Sequence, residues 1–241
     1  MSTPSQHAFS EKVVLITDGV NPIGRAIAMQ LGLYGAYVIV GNPDPSAGEA
    51  RAIDELKSLG TLAQGINADA SKVEGAKHLI GEVENIYGRL DLLVNCLNYR
   101  SDSTFDTTDE VDFQKTIDTN LKSTFFVTQK ALRLMNPRPK PKIVNVIPSC
   151  DPDAKKTDVV FMAVNSGIEG FTKSLAGTLP EKFRVNAVAV KSKGRANSIG
   201  DLDEELFRRS VGIEPDDVAR TVLFLLSSEA NGINGQVLKV E

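Results

Sequence analysis

The sequence predicts an α/β chain in which helices cross over between the strands of a parallel sheet. Two observations carry that expectation. Short, apolar, β-branched runs alternate with helix-period segments along the 241 residues, and the central runs are continuously apolar rather than alternating. Neither an internal repeat nor a low-complexity segment nor a long linker divides the chain. The expectation is a flexible tail over residues 1–10 and one domain over 11–241, a size routine for a single α/β unit.

The elements follow in order. Val13–Thr17 reads as a strand, then a helix from Ile23 to Tyr34. Tyr37–Val40 is the second strand, and Glu49–Leu59 a helix with Ile53, Leu56 and Leu59 on one face. Leu62–Ala68 and the helix Lys72–Tyr87 come next. Leu92–Asn95, Lys142–Ile147 and Val185–Val190 are buried strands, and Val237–Val240 is the last. Two long helices are expected at about residues 112–135 and 161–179. The three prolines within residues 137–141 exclude a helix there and mark a turn.

Composition removes several function classes. A net charge of −4 and a pI near 5.4 give no basic footprint for nucleic acid. No apolar run approaches the roughly 18–20 residues that cross a bilayer, and no signal peptide opens the chain, so a cytoplasmic location is expected. Cys96 and Cys150 are too few for a disulfide framework. His7 and His78 lie far apart without ligand-like neighbours, and no metal is expected.

The landmarks then accumulate. Thr17-Asp18-Gly19-Val20-Asn21-Pro22-Ile23-Gly24 follows the first strand, and Asp69 ends the third. Leu90-Asp91-Leu92-Leu93-Val94 leads into Asn95-Cys96-Leu97-Asn98, and Asn120 lies in Thr-Asn-Leu-Lys-Ser-Thr-Phe-Phe. Phe161-Met162-Ala163-Val164-Asn165 opens a helix, and the segments 184–188, 215–219 and 233–237 close the series. In this order and spacing, over residues 11–240, the chain resembles the short-chain dehydrogenase/reductase family. The resemblance implies a Rossmann-type doubly wound parallel sheet flanked by helices. It also implies roles for single positions: Asp69 at the adenine of a dinucleotide, and Asn120 in the proton relay.

Against that family's pattern the site is altered. Its Tyr-x-x-x-Lys pair is replaced by Phe161 and Asn165. A phenyl ring has no proton to give, and a neutral amide cannot tune a phenol. The serine position, thirteen residues before Phe161, holds Pro148, with Ser149 adjacent. Of the relay only Asn120 is retained. In the phosphate loop, Pro22 stands for a glycine and has no N–H, while Asp18 stands for another and brings a carboxylate. Pro22 also suits a helix start, and Asp18 can equally face solvent. Gly19, Gly24, Asp69 and Asn95 persist as vestigial positions, with Asn42, shortly after the second strand, as a ribose contact or a turn residue. Asn98 replaces the glycine that leaves room for nicotinamide in relatives.

On the second long helix Ala163, Gly167, Gly170, Ser174 and Gly177 recur at steps of four and three. This small-residue face, with Phe171 beside it, serves either an interface with another chain or close packing on the chain's own sheet. The resemblance favours the interface. Together these readings lead to the expectation of a non-catalytic subunit with no cofactor of its own. It would assemble, as a heterotetramer, with an active paralogue of the family, an NAD-dependent alcohol or hydroxyacyl-CoA dehydrogenase holding NAD. The alternatives are a regulatory protein binding a small molecule in the vacated cleft, or an active oxidoreductase with a rearranged site that uses Ser149, Tyr99 or Lys191.

Overall fold

Seven parallel strands form one sheet in the computed structural model, in the order β3-β2-β1-β4-β5-β6-β7. Residues 8–42, 47–58, 60–101, 103–149, 159–191 and 213–241 are described. The strands are β1 (Val13–Thr17), β2 (Tyr37–Asn42), β3 (Ala63–Asn67), β4 (Leu92–Asn95), β5 (Lys142–Pro148), β6 (Arg184–Val190) and β7 (Val237–Val240). Every residue of β1, β4 and β5 is buried, so their runs are largely apolar, with Thr17, Asn95, Lys142 and Asn145 as the buried polar exceptions.

The helices are α1 (Pro22–Leu33), α2 (Ala47–Ser58), α3 (Val73–Tyr87), α4 (Glu110–Thr116), α5 (Ser123–Met135), α6 (Val159–Thr178) and α7 (Pro215–Leu226). The period-two pleat sorts them into two layers. Val14 and Ile16 of β1 meet Ile23 and Ile27 of α1 and Val218 and Val222 of α7. Val13 and Leu15 face the opposite way, toward Leu79 and Val83 of α3 and Val127 and Ala131 of α5. On that second face α6 covers Ile147, Ala187 and Ala189 through Val164 and Ile168. Among the described residues no helix is long and apolar enough to cross a membrane.

Two expectations change here. Phe9 is 1% exposed and stacks edge-on against Tyr34 at 6.5 Å, so the packed domain starts before residue 11. The expected helix 112–135 is broken into α4 and α5 by a π-helical turn over Ile117–Lys122 that carries Asn120. Cys150 lies outside the described residues.

Candidate functional site

In an open parallel sheet, ligands are received outside the carboxyl ends of the strands, where the strand order reverses. Here that point lies between β1 and β4, and the turns leaving both strands meet there. Thr17 Oγ1 accepts from the backbone N–H of Cys96 at 2.9 Å, tying the end of β1 to the loop after β4. Asn21 caps α1, accepting from the Gly24 N–H at 2.8 Å and donating to the Asp18 carbonyl at 2.8 Å. Pro22 then occupies the first helical position, where its missing N–H is not needed, so the Ile23 N–H is the first donor that the helix presents.

The glycines that remain have packing reasons. A Cβ on Gly19 would come within 2.7 Å of Val40, so the loop lies directly against β2. One on Gly24 would run into the Asp18 carbonyl oxygen; the glycine closes the turn itself rather than fitting the helix to the sheet. Asp18 takes the left-handed conformation of the glycine it replaces, at φ 55°, which short polar side chains tolerate. It is 9% exposed and does not face solvent. Burial first, and then the charge of Asp18, push the Cys96 thiol up to about 12.

Asn42 is the last residue of β2, in register with Asn67 of β3, so it is a strand residue rather than a turn residue. Asp69 receives Ser71 Oγ at 2.5 Å and Lys72 Nζ at 3.0 Å. Burial alone would raise its pKa, but the hydrogen bonds from Ser71 and Lys72 outweigh that and lower it. Asn95 donates to Asn145 at 2.8 Å and to Thr128 at 3.0 Å, and Asn145 donates to Thr172 of α6 at 2.9 Å. This buried chain of amides and hydroxyls links α5, β4, β5 and α6.

Asn120 accepts from the Tyr99 N–H and donates to the Tyr99 carbonyl, both at 2.7 Å. It therefore holds both polar groups of one residue in the loop after β4. The next side chain, Arg100, reaches across to α6, and its guanidinium carbon stands 5.3 Å from the centre of the Phe161 ring. Sequence reasoning missed Arg100, because a single arginine in a polar loop carries no periodic signal. Phe161 is 5% exposed and Asn165 1%, both on the buried face of α6. Pro148 ends β5, and Ser149 beside it donates its N–H to Val190 at 2.7 Å, continuing the sheet. Lys191 is drawn 3.7 Å from Glu241.

The small stripe of α6 does not pack on the chain's own sheet. Ala163, Gly167, Gly170, Ser174 and Gly177 are exposed, and a Cβ on Gly170 or Gly177 would meet nothing within 4 Å. Phe171 is half-buried, 5.7 Å from Phe125, which is itself 42% exposed.

A cofactor is implied by the fold family, and the residues present fit one. Three buried polar atoms lack a hydrogen-bond partner among the described residues: Arg89 Nε, and, beside this site, Asn95 Oδ1, an acceptor, and Asn165 Nδ2, a donor. Such atoms are costly unless something answers them, and a polar ligand does so. The β1–α1 turn keeps its close approach at Gly19 and one first-turn amide at Ile23.

A doubly wound sheet with a capped turn after β1 and a linked loop after β4 defines a dinucleotide-type oxidoreductase scaffold. The comparisons supply the family. The profile described as enoyl-(acyl carrier protein) reductase matches residues 19–241. A 3-oxoacyl-[acyl-carrier-protein] reductase of Aquifex aeolicus is 31% identical over 237 residues, covering 95% of each chain. A 7alpha-hydroxysteroid dehydrogenase of Bacteroides fragilis is 28% identical, covering 97% of this chain and 94% of its own. A dehydrogenase/reductase structure from Sinorhizobium meliloti superposes with a TM-score of 0.86 at 24% identity, covering 98% of this chain and 95% of its own. The chain belongs to the short-chain dehydrogenase/reductase family.

Two expectations are corrected by these findings. The relatives that match nearly the whole chain are named as reductases and dehydrogenases, against a non-catalytic subunit. The family profile runs through the turn after β1 to the last strand of this one chain, against a cofactor held only by a partner.

Proposed function

We propose that the chain is a nicotinamide-dependent oxidoreductase with a rearranged proton relay, acting on an oxo or hydroxy group of an acyl substrate. The observation that carries this reading is the 31% identity to a 3-oxoacyl-[acyl-carrier-protein] reductase across 95% of both chains. When bound, the cofactor supplies hydride. The chain's own residues would hold it with the Ile23 N–H, Asn95 and Asn165, with Asp69 at the adenine end.

Phe161 and Asn165 cannot move a proton, so the relay needs another donor. Tyr99 supports that role best. It is joined through its backbone to Asn120, the retained relay residue. Its phenol lies 3.4 Å from Asp112, and Lys115 Nζ stands 4.0 Å from the centre of its ring. Lys191 is engaged by Glu241, and the backbone of Ser149, though not its hydroxyl, is held by Val190. The test is oxidation of NADH and NADPH by the purified chain with acetoacetyl-CoA. Turnover that Tyr99→Phe lowers by about 10²-fold or more is expected. No turnover with either cofactor overturns the reading.

A second reading is favoured by Phe161 and Asn165 themselves: a regulatory protein binding a small molecule in the same cleft. A thermal shift with a metabolite panel, and none with NAD(H) or NADP(H), would support it in place of the first. For either reading, the exposed stripe Ala163, Gly167, Gly170, Ser174 and Gly177, with Phe171 and Phe125, supports docking of a second chain of the same family. Native mass spectrometry reads that directly, and a monomer would remove it.

A further inference from the structure

We propose that Arg100 is a carboxylate-binding residue, and that the cleft takes an oxo or hydroxy acid carrying a free carboxylate besides its reacting group. This rests on the reading of the cleft as a substrate site. Arg100 stacks over Phe161, the residue at the position where relatives carry their proton donor. A cation–π contact takes up no hydrogen-bond acceptor and leaves the guanidinium N–H donors for other partners. Among the described residues no carboxylate pairs with it.

Asp112, which holds the neighbouring Ser101, is already committed. The Asp112 carboxylate accepts from Ser101 Oγ at 2.6 Å and Ser103 Oγ at 2.5 Å. Those bonds, Ser101 first, hold its pKa below the usual range.

The position is also fixed before any ligand arrives. Asn120 grips Tyr99 on one side of Arg100, and Asp112 grips Ser101 on the other. The two residues that flank Arg100 are thus anchored by side chains of α4 and the π-helical turn, with Phe161 of α6 as the platform beneath the cation. An arginine fork offers two parallel donors, and a planar carboxylate presents two acceptors at the matching spacing. A neutral ester offers no second anionic oxygen, and inorganic phosphate, which can also engage the fork, has no carbon chain to seat a reacting oxo group in the cleft.

The experiment measures binding of acetoacetate, methyl acetoacetate or inorganic phosphate by isothermal titration calorimetry, and follows the Arg100 side-chain Nε–H of wild type by NMR in the same titrations. Wild type, Arg100→Gln and Arg100→Lys are compared, with thermal melts confirming that each variant folds. Acetoacetate is expected to shift the Arg100 resonance in wild type, with the ester and phosphate at least tenfold weaker. Arg100→Gln is expected to lose at least tenfold in affinity, and Arg100→Lys to recover only part. Equal acetoacetate binding by wild type and Arg100→Gln overturns the proposal, as does no acetoacetate binding, or equal binding of ester or phosphate. The readout needs no turnover. Arg100-dependent binding in a chain that oxidises neither NADH nor NADPH would therefore sink the oxidoreductase reading and leave this site standing.

Discussion

Asn95 of β4 donates to Asn145 of β5 at 2.8 Å, and that bond is the middle link of a buried chain from Thr128 to Thr172. All four side chains are 3% exposed or less. At that depth, removing one member leaves the others without the partners they hold. Asn145→Leu keeps the volume but strips Asn95 of an acceptor and Thr172 of a donor. A loss of about 2 kcal/mol in urea unfolding is expected; a loss below about 0.5 kcal/mol would mean that the network contributes little.

The altered relay gives a gain-of-function test. The triple variant Pro148→Ser, Phe161→Tyr, Asn165→Lys restores the family's three side chains and is expected to raise turnover of acetoacetyl-CoA by about 10²–10⁴-fold. Asn165→Lys alone places a cation at a site 1% exposed and is expected to lower the melting temperature. A folded triple variant no faster than wild type would show that the loop around Asp18 and Pro22, rather than the relay, limits the reaction.

What the sequence disclosed follows physical lines. Strands β1 and β4 were legible to the residue, because burial on both faces writes a nearly continuous apolar run with sharp ends; β7 was legible too, although it is only half-buried and Lys239 is exposed. The doubly wound topology was legible from the order of motifs. Phe9 was not, since one apolar residue in a polar segment has no period. The π-helical turn was hidden because Ile117–Lys122 keeps a helical composition; what marks it is Asn120 reaching back to Tyr99. Arg100 and Phe161 lie 61 positions apart, and only the fold brings them together.

Cys96 is 4% exposed, and burial, with the Asp18 charge, pushes its thiol up to about 12. The thiolate is the reactive form, so the native thiol is inert at neutral pH. In a Cys150→Ser background, which leaves Cys96 as the only cysteine, native protein at pH 8 is expected to resist an aromatic disulfide reagent until unfolded. Stoichiometric labelling of folded protein would contradict this. The sign for stability follows: above pH 9 the unfolded chain sheds this proton while the folded one keeps it, so stability falls as pH rises toward 12.

Lys142 behaves in the opposite sense. It is 3% exposed at the start of β5, and its ammonium donates to the Ser227 carbonyl. Burial, then the charges of Arg184 and Lys140, push its pKa from 10.5 down to about 8. The folded chain therefore holds fewer protons than the unfolded one between those values. The penalty is full below pH 8 and is relieved as pH rises to 10.5. Relative to Lys142→Met, wild-type unfolding free energy is expected to climb across that window. A flat difference would show that the ammonium is not strained by its surroundings.

The exposed face of α6 allows association to be separated from folding. Gly170 and Gly177 lie inside a 20-residue helix with open space around them. Alanine there meets no neighbouring element among the described residues and removes the backbone entropy of glycine, so each substitution is expected to stabilise an isolated protomer by about 0.5–1 kcal/mol. Where a second chain presses its backbone on this stripe, the added methyl groups stand in its way. The double variant Gly170→Ala, Gly177→Ala is then expected to unfold at a higher temperature when dilute, yet to associate at least tenfold more weakly by analytical ultracentrifugation. Association unchanged in the double variant would move the interface off this helix, because no closely packed partner could accommodate both methyl groups without a shift.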